Sequence, residues 1–393
     1  MPLSELVNGI HHGDRRCIAK AITLIESENS THALLAAKLL RLMRDDDLNA
    51  SNDARPNVHC AIRTRPVIAI TGAPGSGKSC FIEALGTHLV EGLQQSVGVL
   101  AVDPTSAITG GSILGDKTRM SRLSMNTRAF IRPSPSGCHL GGMTARAWET
   151  IDVFEAARFD VTLIETVGVG QSETQAKDAA DLLVLLVPPA SGDDLQAIKK
   201  GIAEVADVIL VTKADGDRCA LAEQTRLSYT RGVQLDTAYH PRSSRELAAA
   251  DGTAGLPADA ECRHAMRSRR PVLTVSSETG LGIQDAWTTM IAMWRERLVS
   301  GEIEAHRGKQ RVTHFKEYLE GELWHRAKAR LNAASWNAPP LRACENRGVA
   351  SSALPDHSDV VGSAWDGYEA RVRSRQMSPR EAGNDALARF FSL

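Results

Sequence analysis

The sequence predicts an α/β protein built on a mostly parallel, doubly wound sheet, with an N-terminal helical extension and a C-terminal helical arm. Two observations carry the sheet. Short β-branched runs alternate with amphipathic helical stretches, and several of the runs are apolar on both faces, as the buried strands of parallel sheets are. The runs lie at 67–71, 97–103, 161–165, 182–187, 208–212 and 272–276, and helical segments lie between them at 78–92, 142–157 and 194–205.

Helical periodicity extends over both flanks of this core. Apolar residues recur at helical spacing through the first ~50 residues, and a polar linker follows at 45–57. After Trp287 we predict helix to about Asn332, then a flexible connector at 333–365. A last helix starts near Pro379, with Ser378 as N-cap and Glu381 at capping-box spacing. The predicted divisions are an N-terminal extension at 1–60, a central domain at 61–299 and a C-terminal arm at 300–393.

Composition limits the function classes. The 393 residues carry 46 Lys and Arg against 47 Asp and Glu, a net charge of −1, and only 4% aromatic residues. A nucleic-acid-binding protein that relies on a strong positive field or on base stacking is therefore not expected. The seven cysteines are scattered without a C-x-x-C pair, which favours a reducing compartment over a disulfide framework or a zinc site. Without a signal peptide or an apolar run of ~20 residues, we expect a cytoplasmic protein with no membrane span.

A glycine-rich loop follows the first strand. The motif Gly72-Ala73-Pro74-Gly75-Ser76-Gly77-Lys78-Ser79 fits G-x-x-x-x-G-K-[ST], the phosphate-binding loop, and it stands between a strand and a helix as that loop requires. Its backbone N–H groups and the helix N-terminus can surround a polyphosphate. Lys78 is expected to neutralise the β/γ oxygens, Ser79 to bind Mg²⁺, and the backbone N–H of Cys80 to reach the α-phosphate.

A second motif predicts which base is bound. Strand 208–212 ends in Thr212-Lys213-Ala214-Asp215, a T/N-K-x-D tetrad at the C-terminal end of a strand. An aspartate there accepts two hydrogen bonds from guanine N1 and N2, a pair of donors that adenine lacks. Thr212 replaces the more common Asn, so we expect guanine specificity with weaker affinity. Ser276 and Ser277 follow the last strand and are expected to complete the base pocket. The predicted ligands are GTP or GDP with Mg²⁺.

Two more strand ends point polar residues at the same edge, where doubly wound sheets bind their ligands. Glu165 is expected to reach Mg²⁺, in place of the more common Asp, and the N–H of Gly168 to contact the γ-phosphate. Asp103, at the end of strand 97–103, faces the same crevice, with helix capping as the alternative.

Long segments resemble the MeaB/ArgK family of SIMIBI-type P-loop GTPases, which includes the mitochondrial MMAA protein. They are AVDPTSAITGGSILGDKTRM (101–120), IRPSPSG (131–137), ETVGVGQSE (165–173) and SGDDLQAIKKGIAEVADVILVTKAD (191–215). The resemblance runs from about Leu6 to about Arg330. The closing stretch 375–391 also resembles the family's last helix, whereas the connector 333–365 is longer and more polar than the family arm.

The resemblance implies a GTP-hydrolysing chaperone for an adenosylcobalamin-dependent acyl-CoA mutase, most often methylmalonyl-CoA mutase. Such proteins gate cofactor delivery from an adenosyltransferase, protect the mutase, and pair as homodimers through the C-terminal arm. By position, Asp103 and Asp116 match family residues near Mg²⁺ and the attacking water. Asp193 and Lys199 fall in the loop that couples nucleotide state to the mutase.

Other interpretations stay open on sequence grounds. A P-loop GTPase for metal-centre maturation shares the fold but normally carries Cys or His metal motifs. A P-loop kinase, the older ArgK-type interpretation, predicts ATP preference and conflicts with Asp215. Four arginines are candidate charge stabilisers, although salt bridging is the more ordinary role, and three histidines are expected at the surface or as caps rather than as metal ligands. These residues are Arg119, Arg122, Arg132, Arg146, His11, His12 and His139.

Overall fold

The protein is described by a computed structural model that covers residues 1–27, 29–52, 64–103, 120–135, 145–166, 177–189, 205–239, 270–334 and 368–392. Within these residues a seven-stranded sheet has the order β3-β2-β4-β1-β5-β6-β7, and every paired strand is parallel. The strands are β1 Val67–Gly72, β2 Val97–Asp103, β3 Ala129–Pro135, β4 Val161–Glu165, β5 Leu182–Val187, β6 Val208–Val211 and β7 Val272–Thr274. The predicted doubly wound parallel sheet is confirmed.

Helices cover both faces of the sheet. They are α1 Leu3–His11, α2 Arg15–Glu26, α3 Ser30–Asn52, α4 Lys78–Thr87, α5 Ser121–Met125, α6 Ala145–Ala156, α7 Cys219–Tyr239, α8 Ile283–Val299, α9 Glu302–Ala334 and α10 Pro379–Ser392. A π-helical turn at His88–Gly92 extends α4, a 3₁₀ turn at Gly216–Arg218 precedes α7, and 368–373 is helical. No helix of the described residues is both long enough and apolar enough to cross a membrane.

Strand β3 corrects the sequence prediction, which placed no strand at these residues. Pro133, Pro135 and Arg132 interrupt the apolar pattern that identified the other strands. β3 lies at the edge of the sheet and pairs only with β2. An edge strand tolerates proline because the missing N–H faces away from the ladder.

The N-terminal helices pack against the central sheet rather than standing apart from it. Ile18 and Ile22 of α2 are completely buried in one cluster with Phe154 of α6 and Leu100 of β2. Helix α3 continues to Asn52, so the predicted polar linker at 45–57 begins too early, because helix extends through its first residues. The division at residue 60 remains a prediction.

The C-terminal arm begins with a break in the helix. Helix α8 ends at Val299 and α9 starts at Glu302, with Gly301 between them at φ 77°. Farther on, Ser378 caps α10 as predicted: its Oγ accepts the N–H of Glu381 at 3.2 Å. Glu381 also pairs with Arg44 of α3 at 3.1 Å, so the last helix docks onto the N-terminal extension.

Candidate functional site

The phosphate loop joins β1 to α4 at the side of the sheet where the C-terminal ends of the strands meet. Gly72 has φ 149°, and a Cβ there would lie 2.4 Å from the carbonyl oxygen of Leu186 on β5. Gly75 and Gly77 have φ of 79° and 92°, in the region that favours glycine. The sequence therefore folds this loop with its backbone close to the neighbouring strand, in the arrangement that a polyphosphate cradle needs.

Lys78 and Ser79 carry the polar chemistry of the loop. The Lys78 ammonium donates to the carbonyl oxygens of Gly72 at 2.8 Å and Ala73 at 3.3 Å, which holds it across the loop. The Ser79 hydroxyl donates to Glu165 Oε1 of β4 at 2.6 Å, and both residues are buried. Two of the four residues predicted near Mg²⁺ are thus in contact, while Cys80 beside them is exposed.

The loop after β6 is tied to the phosphate loop. The Thr212 hydroxyl donates to the Ser76 carbonyl oxygen at 2.7 Å and also lies 3.3 Å from the Val187 carbonyl oxygen. Lys213 adopts a left-handed φ of 53°, which turns the chain toward Asp215. The hydroxyl of Thr212 therefore supplies a link between the base loop and the phosphate loop.

Asp215 has both carboxylate oxygens engaged. Arg218 Nη2 donates to Oδ1 at 2.7 Å, and the Ser276 hydroxyl donates to Oδ2 at 2.7 Å. The hydrogen bond from Ser276, with help from Arg218, lowers the pKa of Asp215 below its usual value. The carboxylate is therefore kept ionised, as a group that accepts two hydrogen bonds from guanine must be.

The sequence matches the family described as methylmalonyl-CoA mutase-associated GTPase MeaB over residues 18–332. The chain belongs to the MeaB family. The resemblance noted from the sequence motifs is confirmed, and the chain is a GTPase.

Relatives of the MeaB-family chain extend over most of its length. It is 42% identical over 382 residues to a probable GTPase of Mycobacterium tuberculosis, covering 97% of this chain and 93% of that protein. It is 39% identical over 313 residues to the mouse mitochondrial methylmalonic aciduria type A homolog, covering 78% and 67%. The crystal structure of an LAO/AO transport system kinase superposes with a TM-score of 0.59 at 26% identity and covers 100% of this chain and 98% of that one.

Several predicted site residues of this MeaB-family chain lie outside the described residues or lack a described side chain. Asp103 ends β2 at the expected edge of the sheet. Ser277 is half-buried directly after Ser276. The other predicted residues lie outside the described part of the chain, and their roles stay predictions. They are Asp116, Gly168, Asp193, Lys199, Arg119 and His139.

The candidate charge stabilisers that the structure describes are engaged elsewhere. Arg122 pairs with Glu91 at 3.3 Å. Arg132 pairs with the Glu26 carboxylate, and Arg146 donates to the Glu26 carbonyl oxygen at 2.7 Å. These contacts join α2 to β3 and α6, so the ordinary role of these arginines as salt bridges or ties is the observed one.

Two polar features of this MeaB-family chain, at Arg218 and at Asp181, were not predicted from the sequence. Arg218, three residues after Asp215, gave no motif signal because its role depends on the turn between them. Asp181 lies at the start of β5, on the edge opposite the nucleotide residues. It accepts from Val67 N at 3.0 Å, Trp294 Nε1 at 3.0 Å and Arg307 Nη2 at 2.7 Å. The acidic residue before a buried strand was the available signal.

Proposed function

We propose that this chain is a GTP-hydrolysing chaperone that gates adenosylcobalamin loading and protection of an acyl-CoA mutase, with methylmalonyl-CoA mutase as the first candidate. The proposal rests on membership of the MeaB family and on one structural observation. Thr212 of the base loop donates to the phosphate loop, and Asp215 of the same loop accepts from Ser276. One guanine nucleotide can therefore contact both loops.

The residues of the phosphate loop would bind and orient the triphosphate. The loop N–H groups and Lys78 neutralise the β and γ oxygens, and the nearby buried hydroxyl of Ser76 makes no hydrogen bond among the described residues, which leaves it able to serve a ligand. Asp215 would exchange the Arg218 contact for guanine N–H donors. Binding the correct base would therefore free Arg218 from that oxygen.

The donor set at Ser79 and Glu165 fits Mg²⁺. A hydroxyl and a carboxylate in contact at 2.6 Å supply hard oxygen ligands, with the carboxylate placed to act directly or through water. When bound, the ion would neutralise charge that develops on the β and γ phosphate oxygens. Asp103 and Asp116 are proposed as further acidic groups near the ion and the attacking water.

Intrinsic turnover is expected to be slow. In-line attack on the γ-phosphorus needs an oriented water, and no glutamine follows Gly168 directly, since Val169 and Gly170 come next and Gln171 is the nearest. We propose that the mutase orders these segments and that Asp193 and Lys199 couple nucleotide state to it. The same proposal includes a cytoplasmic homodimer paired through the C-terminal arm, with an adenosyltransferase as a second partner.

Mutase association is tested by pull-down of purified methylmalonyl-CoA mutase with this protein loaded with a non-hydrolysable GTP analogue or with GDP. We expect capture that differs between the two states and GTP hydrolysis that speeds up when mutase is added. Lys78→Ala serves as the matched control that is unable to hold either nucleotide. Equal absence of capture in both states, with an unchanged and already high hydrolysis rate, would refute the chaperone role.

Guanine recognition is tested separately by Asp215→Asn. Xanthine presents a carbonyl where guanine has its 2-amino group, so an amide at residue 215 can donate to it. The variant should lose GTP affinity and gain affinity for xanthosine triphosphate. Tight ATP binding by the unmodified protein would instead favour the kinase alternative.

The metal-maturation alternative receives no support from the part of the chain that the structure describes. No group of three or more His, Cys, Asp or Glu residues there could hold a metal ion.

A further inference from the structure

A cleft of about 350 Å³ opens at the edge of the sheet opposite the phosphate loop. It lies between the end of α1, the starts of β2 and β3, and the turn that follows α6. Because all the strands are parallel, their starts meet at this edge and their C-terminal ends meet at the nucleotide edge. The cleft is therefore separate from the GTP site, and its volume lies within the range of small-molecule pockets.

The lining of the cleft is strongly basic. Five cationic or titratable side chains contribute to it, and no carboxylate is among the described residues that line it; the five are His11, His12, Arg15, Arg128 and Arg158. Two carboxylates next to it in sequence keep their charges but are outnumbered by the three arginines of the lining, and both accept from local donors. Asp14 caps α2 through Arg16 N at 2.8 Å, and Asp160 accepts from Ser96 N and Oγ at 2.8 Å. The cleft therefore favours an anion.

Arg158 lines the cleft from a backbone conformation that normally selects glycine. It follows the end of α6 with φ 61°, and its N–H donates to the Glu155 carbonyl oxygen at 3.0 Å. Helices commonly end on such a left-handed residue, usually glycine, because a Cβ there costs about 1 kcal/mol. An exposed arginine at this point accepts the backbone cost without gaining burial, and this backbone conformation places its guanidinium at the cleft.

Aromatic rings form the wall next to the arginines. Phe130 and Phe159 both line the cleft, with their ring centroids 6.3 Å apart. The Arg15 guanidinium lies 5.7 Å from the Phe130 centroid and is fixed by its bond to the Ala129 carbonyl oxygen at 2.7 Å. His11 also lines the cleft, and its Nε2 is buried and has no hydrogen-bond partner among the described residues. The cleft thus combines cationic donors with an apolar surface.

We propose that this cleft binds a small phosphorylated ligand, with Arg128 and Arg158 holding the phosphate and Phe159 contacting the apolar part. The guanidinium groups supply the planar donor pairs that phosphate oxygens accept. Arg128 already uses Nη1 on the Gln94 carbonyl oxygen, which fixes its position at the rim and leaves its other donors for the ligand. The proposal does not depend on the function of the nucleotide edge.

The test uses two matched variants, Arg158→Gly and Arg375→Gly. Both residues are exposed arginines with left-handed φ values, 61° and 62°, that follow a helical segment, but Arg375 does not line the cleft. Each substitution removes one positive charge and relieves the same backbone conformation, and thermal unfolding of both variants checks that each stays folded.

Binding is measured by calorimetry with phenyl phosphate and with inorganic phosphate. The protein is first saturated with a non-hydrolysable GTP analogue and Mg²⁺, so that the nucleotide edge is filled. We expect saturable binding of phenyl phosphate to the unmodified protein and to Arg375→Gly, about tenfold weaker in Arg158→Gly. Tighter binding of phenyl phosphate than of phosphate supports an organic phosphoester site, and equal binding of the two would contradict the apolar contact with Phe159. Absence of saturable binding, or equal affinity in both variants, would overturn the proposal.

Discussion

The two edges of the sheet each hold a buried carboxylate, and their surroundings differ. At the nucleotide edge, Glu165 contacts the Ser79 hydroxyl, and the groups beside it are glycine backbone and a lysine ammonium. At the opposite edge, Asp181 accepts from a backbone N–H, an indole and a guanidinium at 2.7 to 3.0 Å. One carboxylate has neighbours that a ligand can rearrange, whereas the other is held by groups from three segments.

The second carboxylate anchors the C-terminal arm. Arg307 of α9 reaches Asp181 and also Glu155 of α6 at 2.7 Å, and Arg297 of α8 donates to the Asp181 carbonyl oxygen at 3.1 Å. Substitution of one residue in such a network leaves a buried charge without its partner. Substitution of a residue at the nucleotide edge leaves no buried charge of this kind. The comparison therefore predicts that mutations at one edge change stability and mutations at the other change binding.

The largest effect on stability is expected for Arg307→Met. The side chains of Arg307 and Asp181 are 7% and 1% exposed, so removal of the guanidinium leaves Asp181 as a buried, underpaired carboxylate. We expect a loss of about 3–5 kcal/mol in the free energy of unfolding, measured by denaturant titration. Lys309→Met on the exposed side of the same helix is the control. GTP affinity of the folded fraction should stay within about twofold, because the site is on the other edge.

The corresponding substitution at the nucleotide edge is Lys78→Ala. It removes the ammonium that neutralises the phosphates, and we expect GTP and GDP affinity to fall by about a hundredfold or more, measured with a fluorescent nucleotide. The Lys78 side chain is only partly buried and its contacts include the Gly72 and Ala73 carbonyl oxygens of the same loop, so thermal stability should change little. Normal GTP affinity in this variant would refute the phosphate-loop assignment.

The free energy of unfolding is expected to depend on pH through Glu149, which pairs with Arg380 of α10. Burial raises the pKa of Glu149 from its usual 4.5 to about 7, although Arg380 at 2.8 Å opposes the rise. The folded state then binds a proton that the unfolded state releases, so stability should fall by roughly 1–3 kcal/mol as pH rises from about 4.5 to about 7. Urea unfolding across this range checks it. Glu149→Gln should flatten that part of the profile, and an unchanged slope would show that another group is responsible.

The smallest effect is expected for Thr212→Val. The variant keeps the shape of the side chain and loses the hydroxyl bond to the Ser76 carbonyl oxygen, which should weaken GTP binding by about fivefold, or about 1 kcal/mol. Thr212→Ser retains the hydroxyl and is the control. Nucleotide titration of both variants distinguishes the link between the loops from side-chain packing, since a loss in Thr212→Ser without a loss in Thr212→Val would assign the effect to the missing methyl group.

The sequence allowed the nucleotide edge to be predicted because its function requires particular residues at fixed spacing. Glycine is needed where φ is positive, and Lys78, Ser79 and Asp215 follow at motif positions. The strands were predicted from their β-branched runs, except β3. Its prolines argued against a strand, and they are tolerated because β3 is the outermost strand of the sheet. The hydrogen bond of Thr212 to the Ser76 carbonyl oxygen was not predicted, because it connects residues 136 apart in the sequence.

Local motifs were sufficient to predict the fold class and the MeaB family, and they predict a guanine-nucleotide site at the C-terminal ends of the strands, because such motifs report on backbone conformation and ligand type. Three contacts are visible only in the folded chain: Arg307 meets Asp181, Arg218 pairs with Asp215, and three arginines line a second cleft. Those contacts join segments that are distant in sequence or turned by a tight loop, and no spacing rule encodes them. They form where packing of the helices on the sheet brings charged side chains together and burial makes pairing necessary.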